Sequence, residues 1–436
     1  MQAVTAREEQ FASQSLAGAA EVVLRPLQLL MAFPALLFMT ALTAMLLCHP
    51  DVPSYGISRI AFALLVVAVI ARILILRYPL VVAERISLPM LALTALALVG
   101  VLGKPFDKET WSLLGTKYVV PFAMFYIAQL IFGTEKRFRQ FEIFVLCVLA
   151  YLSFTAIAFL LDARSLIFPK YILDPNLGYH VDRARGPFLQ AVANGVSLNM
   201  LGLLALHAYR RGSARGLKML VLLASVPLAI LATMTRAVWL SFAGSVLALI
   251  FLSKNRTFRR AGLWLGVVAV LALAAVVTSS ELSRALSDRL TESSPVEFRQ
   301  AVYAGSWQMF LERPLTGWGF HSMPDELPRY VSEFRGEELY PHNTYLEVLV
   351  EQGVVGLALY LWLMWELLRL SRGIVPKAEQ TGFLDEEFHR FWPVLLGVYW
   401  INASLVVMNY QFVNALLFTL AGMLAAQRRR VETASC

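Results

Sequence analysis

Apolar runs about as long as a bilayer is thick recur from one end of the 436-residue chain to the other, and no feature restricts its fold more. Inside hydrocarbon no water satisfies backbone N–H and C=O groups, so a crossing run must close its hydrogen bonds internally, as a helix. At ~20 apolar residues per crossing, about 12 runs qualify. They lie at 28–48, 58–77, 86–103, 113–132, 141–161, 189–209, 217–234, 237–253, 262–279, 354–370, 391–409 and 412–427. Composition agrees: 58% of residues are hydrophobic and only 16% charged, where soluble domains hold about 45–50% apolar residues. The expectation is an all-α polytopic membrane protein with about 12 transmembrane helices, forming one integral-membrane domain over 1–436.

A net charge of +8 would suit nucleic acid, but the positions of the charges argue against that partner. Lys and Arg recur at every second connection: Arg72, Arg77 and Arg85; Lys136, Arg137 and Arg139; Arg210, Arg211, Arg215 and Lys218; Lys254, Arg256, Arg259 and Arg260; Arg369, Arg372 and Lys377; and Arg428 to Arg430. The connections "HPDVPSYG" and "NYQF" between them hold none. This is the positive-inside pattern and predicts both termini in the cytoplasm. The first 28 residues include Glu8 and Glu9 and are too polar for the apolar core of a signal peptide, so no cleavage is expected. Cys48, Cys147 and Cys436 are too dispersed for a disulfide framework or a thiolate zinc site.

Two long connections, 162–188 and 280–341, fall outside the cytoplasm under this topology. Both are too rich in aromatic and apolar residues to be disordered. In the larger, Phe298, Val302, Gly305 and Met309 recur at helical spacing while Arg299, Tyr303 and Ser306 share another face. This predicts an amphipathic helix over about 296–312, stopped by Pro314, followed by a turn at Gly317 and Gly319, and lying at the outer membrane surface.

At the end of that connection stands "YPHNTYLEVLVEQGVVG". Thr344 to Glu347 fits a capping box and predicts a helix start at Thr344, with Gly353 ending or kinking a short helix before 354–370 crosses. His342 and Asn343 then precede a helix N-terminus. Its positive potential disfavours imidazolium and keeps His342 neutral, available as a base. The plainer alternative is a histidine that only bonds loop backbone.

Arg236, in "TMTRAVWL", lies between two runs joined by almost no loop, which sets a guanidinium at or inside the outer boundary. Such a charge requires a partner or an anion, unless it snorkels to headgroups. Arg185 precedes a run whose Gln190, Asn194 and Ser197 form one polar stripe facing the bundle interior. Arg299 heads the amphipathic helix, and Lys117 lies near the outer end of the fourth run; solvation and snorkelling are the plainer accounts of these two. Outside the cytoplasm there is no nucleotide sugar, so a transferase there requires a donor already activated in lipid. A polyprenyl diphosphate-linked glycan meets that need. Arginine forks can neutralise its leaving group without a metal, while a neutral histidine takes the acceptor's proton. Asp325, Glu326, Glu333, Glu337 and Glu338 are scattered as on a solvated surface, and neither metal nor cofactor is expected.

"HNTYLEVLVEQGVVG", "RGPF" at Arg185 with Asn194, "TMTRAVWL" and "FRQAVYAGSWQMFLERPLTGWGF" resemble, in order, the signatures of the O-antigen ligase and polymerase superfamily. The likeness covers roughly 185–370. Thr235 stands where relatives often carry serine, which leaves the charge intact. The resemblance implies an inverting, metal-independent glycan transferase of the bacterial inner membrane, active on the periplasmic face. Its catalytic base would be His342. Its donor, an undecaprenyl diphosphate-linked glycan, would meet Arg185, Arg236 and Arg299, with Lys117 and Asn343 as further substrate contacts. The acceptor would be lipid A-core for a ligase, the reading preferred here, or a second lipid-linked glycan for a polymerase; protein glycosylation fits less well. Membrane lipids are the remaining partners. A transporter with Arg185 and Arg236 as anion sites is the rival from another class, although the chain has no evident inverted repeat.

Overall fold

A computed structural model supplies the structure of the protein, and it describes residues 33–76, 84–278, 294–331, 339–372 and 382–434. Arg77, Lys377, Glu333, Glu337, Glu338, Cys436 and the stretch 1–28 lie outside those residues. Among the described residues every regular element is a helix or a single helical turn. The chain divides into two units, 1–82 and 83–436. The first contributes α1 (Pro34–Leu47) and α2 (Tyr55–Leu76), joined by a turn at 48–54.

The second unit runs α3 (Ser87–Leu102), α4 (Lys108–Ile131), α5 (Glu135–Leu160), α6 (Ala191–Arg211), α7 (Leu217–Ala232), α8 (Arg236–Phe251), α9 (Arg256–Thr278), α10 (Ser294–Glu312), α11 (Thr344–Arg369), α12 (Glu386–Ala403) and α13 (Gln411–Ala434). The described part of each apolar run lies wholly or largely on one of these helices or on α1 or α2. Six of them, however, are long and apolar enough to cross a membrane: α2, α4, α5, α6, α9 and α11. Helices α3, α7 and α8 have 16 residues each. That length reaches about 24 Å at 1.5 Å per residue, against a hydrocarbon core of about 30 Å. α12 opens on Glu386 and Glu387. The expected count of about 12 spans is therefore met by six helices on length and composition.

Helix α6 is buried on all sides from Ala191 through Ala208, which makes it the centre of the unit. Its predicted polar stripe does face inward: Asn194 and Ser197 are fully buried. One turn on, Asn199 meets Ser241 and Ser245 of α8, and Asn402 of α12 donates to Ser241 Oγ at 2.9 Å. A Cβ on Gly195 would strike Val238, so α6 and α8 touch near their N-termini and run parallel.

The two ends of this unit differ in chemistry. At one, Arg211 at the close of α6 bonds Glu135 (2.8 Å) and Glu142 (2.9 Å) at the opening of α5, and Arg210 pairs with Asp385, the N-cap of α12. His207 is buried there among Phe383, Phe388 and Phe391. At the other end lie the starts of α6, α8, α11 and α13, linked by Phe188 against Phe412 and by the Thr344 hydroxyl against Val406 and Met408.

Candidate functional site

The site is built where α11 begins. Asn343, not Thr344, is the N-cap: its side-chain oxygen accepts from the N–H groups of Tyr345 (3.0 Å) and Leu346 (3.1 Å). The expected capping box is therefore replaced. Thr344 Oγ1 instead donates to the Val406 carbonyl and accepts from the Met408 N–H, both at 2.9 Å, tying this turn to the connection before α13. Glu347 turns to α4, where Lys117 donates to its Oε2.

Gly353 breaks α11 as its position predicts, with φ 67° and ψ −168°. A break inside an apolar helix leaves carbonyls and N–H groups without partners. The segment after α10 supplies them. Trp318 N–H donates to Val350 O (3.1 Å) and Gly319 N–H to Glu351 O (2.8 Å), while Val354 and Val355 N–H donate to Pro314 O (2.8 Å) and Leu315 O (3.3 Å). Backbone this close excludes side chains on both strands of the contact. A Cβ on Gly353 would fall on the Leu315 carbonyl, and one on Gly317 on the Glu351 carbonyl. "RPLTGWGF" and the glycine of the histidine segment are thus two halves of one interlock.

The interlock anchors the end of α10, and the apolar face of that helix does the rest. Val302 and Met309 are fully buried with Met323, Leu327, Val331, Leu339 and Val350, as the spacing predicts. Ser306 is buried as well, so it does not share an exposed face with Arg299. Trp307 and Leu311 form the outward side. This docking brings the first turns of α10 to His342: the Phe298 ring meets the imidazole edge-on at 6.2 Å between centroids.

His342 is half-buried and holds a left-handed backbone, φ 44°, which is uncommon for a residue with a side chain. Burial lowers its pKa below the ordinary histidine value, and the Arg299 charge lowers it further. Both effects favour the neutral ring. The direction is the one expected for a neutral histidine, with burial the larger cause and Arg299 the smaller.

The remaining predicted residues divide. Arg299 is beside His342 and half-buried. Arg236 is exposed at the first position of α8, at the same end of the unit. Arg185 is 1% exposed. Its guanidinium donates to the carbonyls of Ile172 (2.9 Å), Asp174 and Leu177, which folds the 162–188 connection around it. Lys117 is inside the unit, its side chain 8% exposed, and it sits on a π-helical turn at Gly115–Val119. Sequence reasoning missed Glu347 as its partner, and the Tyr118 hydroxyl that accepts from Gln352 Nε2 at 3.0 Å. The signal for both was charged or polar residues within apolar runs of α4 and α11, which must find one another.

Among the described residues, six helices long and apolar enough to cross a membrane give the chain the character of a multi-pass membrane protein. Residues 219–361, which carry Arg236, Arg299, the interlock and His342, match the family model described as O-antigen ligase. The likeness is confined to that segment, about a third of the chain. No curated protein matches the chain.

Proposed function

We propose that the protein is a glycan transferase of the bacterial inner membrane that joins an undecaprenyl diphosphate-linked polysaccharide to an acceptor sugar on the periplasmic face, lipid A-core being the preferred acceptor. In this reading the chain crosses the membrane about 12 times, with both termini cytoplasmic and 280–341 outside. The observation that carries it is a half-buried histidine of lowered pKa, packed on Phe298 and facing the charge of Arg299, inside the segment that matches the ligase family.

The chemistry follows from that arrangement. Neutral His342 takes the proton from an acceptor hydroxyl as its oxygen bonds to the anomeric carbon. The bond from that carbon to the diphosphate oxygen breaks, and the electron pair leaves with the diphosphate. A single displacement of this kind inverts the anomeric configuration. Arg299 and Arg236 stand at the right end of the bundle to stabilise the negative charge that develops on the leaving group, a task guanidinium can perform without a metal. Arg185 and Asn343 serve by construction: one holds the outer connection together and the other fixes the helix start beside His342.

Purified protein in lipid nanodiscs, given a lipid-linked glycan donor and either lipid A-core or a second lipid-linked glycan, tests this directly. Product should appear with one acceptor and be lost in His342→Ala while undecaprenyl diphosphate still binds. Product with the second glycan alone makes the protein a polymerase, whose demands on these residues are the same. Transfer by His342→Gln at the unaltered rate removes the general base.

A further inference from the structure

Lys117 is a largely buried cation at the site end of the bundle, and its surroundings are not those of a group waiting for an anion. It donates to Glu347 Oε2, and both side chains are largely buried, at 8% and 13% exposure. The ring of Phe320 lies 5.8 Å from its ammonium and that of Tyr118 5.9 Å. A buried charge with a matched partner is already neutralised, and breaking the match leaves the other charge stranded in a poorly solvated place. The backbone is altered at this point as well: the π turn Gly115–Val119 inserts one extra residue into α4, a distortion that re-aims side chains and is commonly found at functional sites.

What the pair holds is the short first half of α11, Thr344 to Gln352. Consecutive residues of the π turn grip it at two heights: Lys117 takes Glu347, within the turn that Asn343 caps, and the Tyr118 hydroxyl takes Gln352, the last residue before the Gly353 break. A nine-residue helix cut off by a glycine from the span below has no rigid continuation to orient it. Its position is fixed by lateral contacts, and the imidazole of His342 precedes it by two residues.

We propose that Lys117 and Glu347 are a positioning pair for His342: their ion pair sets the short helix and so the histidine that precedes it, and Lys117 does not touch the donor diphosphate. This rests on the transferase reading and adds a residue role to it. Glu351, one turn beyond Glu347 and also buried, lies on the same side and is the only other carboxylate among the described residues of the short helix.

The test uses the full chain in nanodiscs and compares Lys117→Met, Glu347→Gln, the exchange Lys117→Glu with Glu347→Lys, and the double variant Lys117→Met with Glu347→Met. For each, kcat, the dissociation constant for undecaprenyl diphosphate and the unfolding midpoint are read. A positioning role predicts that either single change lowers kcat about tenfold or more, a loss of the size expected for misplaced catalytic groups, while donor affinity stays within about twofold. It also predicts that the exchange recovers most of kcat. Should the exchange fail to fold, the double methionine variant, which strands no charge, must still show lowered kcat at unchanged donor affinity. Loss of donor affinity in Lys117→Met and in the exchange would instead make Lys117 a phosphate ligand and overturn the proposal. So would single variants with lowered midpoints but unaltered kcat. The transferase reading fails by a different result, no product from the parent protein with either acceptor, whereas full activity of His342→Ala in a working transferase would overturn the positioning role alone.

Discussion

At the scale of single residues, the histidine makes a claim about pH. Its pKa is lowered by burial first and by Arg299 second. A base with a lowered pKa is neutral over a wider range, so activity should persist on the acid side until pH falls through that value. Removing the neighbouring cation stabilises imidazolium and raises the pKa. The acid limb of kcat in Arg299→Gln should therefore move to higher pH, and a limb that moves down or stays still would separate Arg299 from the histidine. Gly353 makes a claim about stability. Its φ of 67° is one that side chains resist, and its Cβ position is occupied by the Leu315 carbonyl. Gly353→Ala should destabilise by at least ~2 kcal/mol, the scale of left-handed strain plus overpacking. A thermal midpoint equal to that of the parent would contradict the interlock.

At the scale of elements, the segment after α10 works as a splint. It returns to the broken helix the hydrogen bonds that Gly353 takes away, and in doing so fixes α10 against α11. The "RPLTGWGF" segment and the glycine of the histidine segment, apart in the sequence, are in direct backbone contact. The break at Gly353 and the span of α10 were legible, since a glycine in an apolar helix and a 3.6-residue pattern each leave a local mark. The cap was not. Thr344 to Glu347 has the residues of a capping box, but tertiary partners claimed both side chains, Val406 and Met408 for the threonine and Lys117 for the glutamate. Asn343, one residue earlier, took over a task any short polar side chain can perform. Tertiary partners of Arg185 were equally hidden: its position suggested an anion, and the carbonyls of a folded connection also bond its guanidinium. Asn343→Ala should accordingly cost ~1 kcal/mol of stability, the usual value of an N-cap, together with a fall in kcat because the same residue sets the histidine. Ser or Asp at position 343 should restore both, and an activity loss that neither restores would mean that the amide contacts substrate.

At the scale of the whole molecule, the proposed orientation rests on how charge is sorted between the ends of the second unit's helices. Arg210, Arg211, Glu135, Glu142 and Asp385 interlock at one end of the second unit. His342, Arg236 and Arg299 lie at the other, where α8 starts and α10 meets α11. The turn between α8 and α9 carries exposed Lys254 and belongs to the first end, one helix length from Arg236. In the proposed topology that end is cytoplasmic, as the positive-inside rule expects. Two single-cysteine reporters read this placement without reference to activity. In a chain whose own cysteines are replaced by serine, Gln308→Cys on the exposed side of α10 should react with a membrane-impermeant maleimide in cells with an intact inner membrane. Lys254→Cys should react only after that membrane is opened. The reverse pattern would put the histidine on the side where nucleotide sugars are available, and the physical reason for a lipid-linked donor would disappear with it.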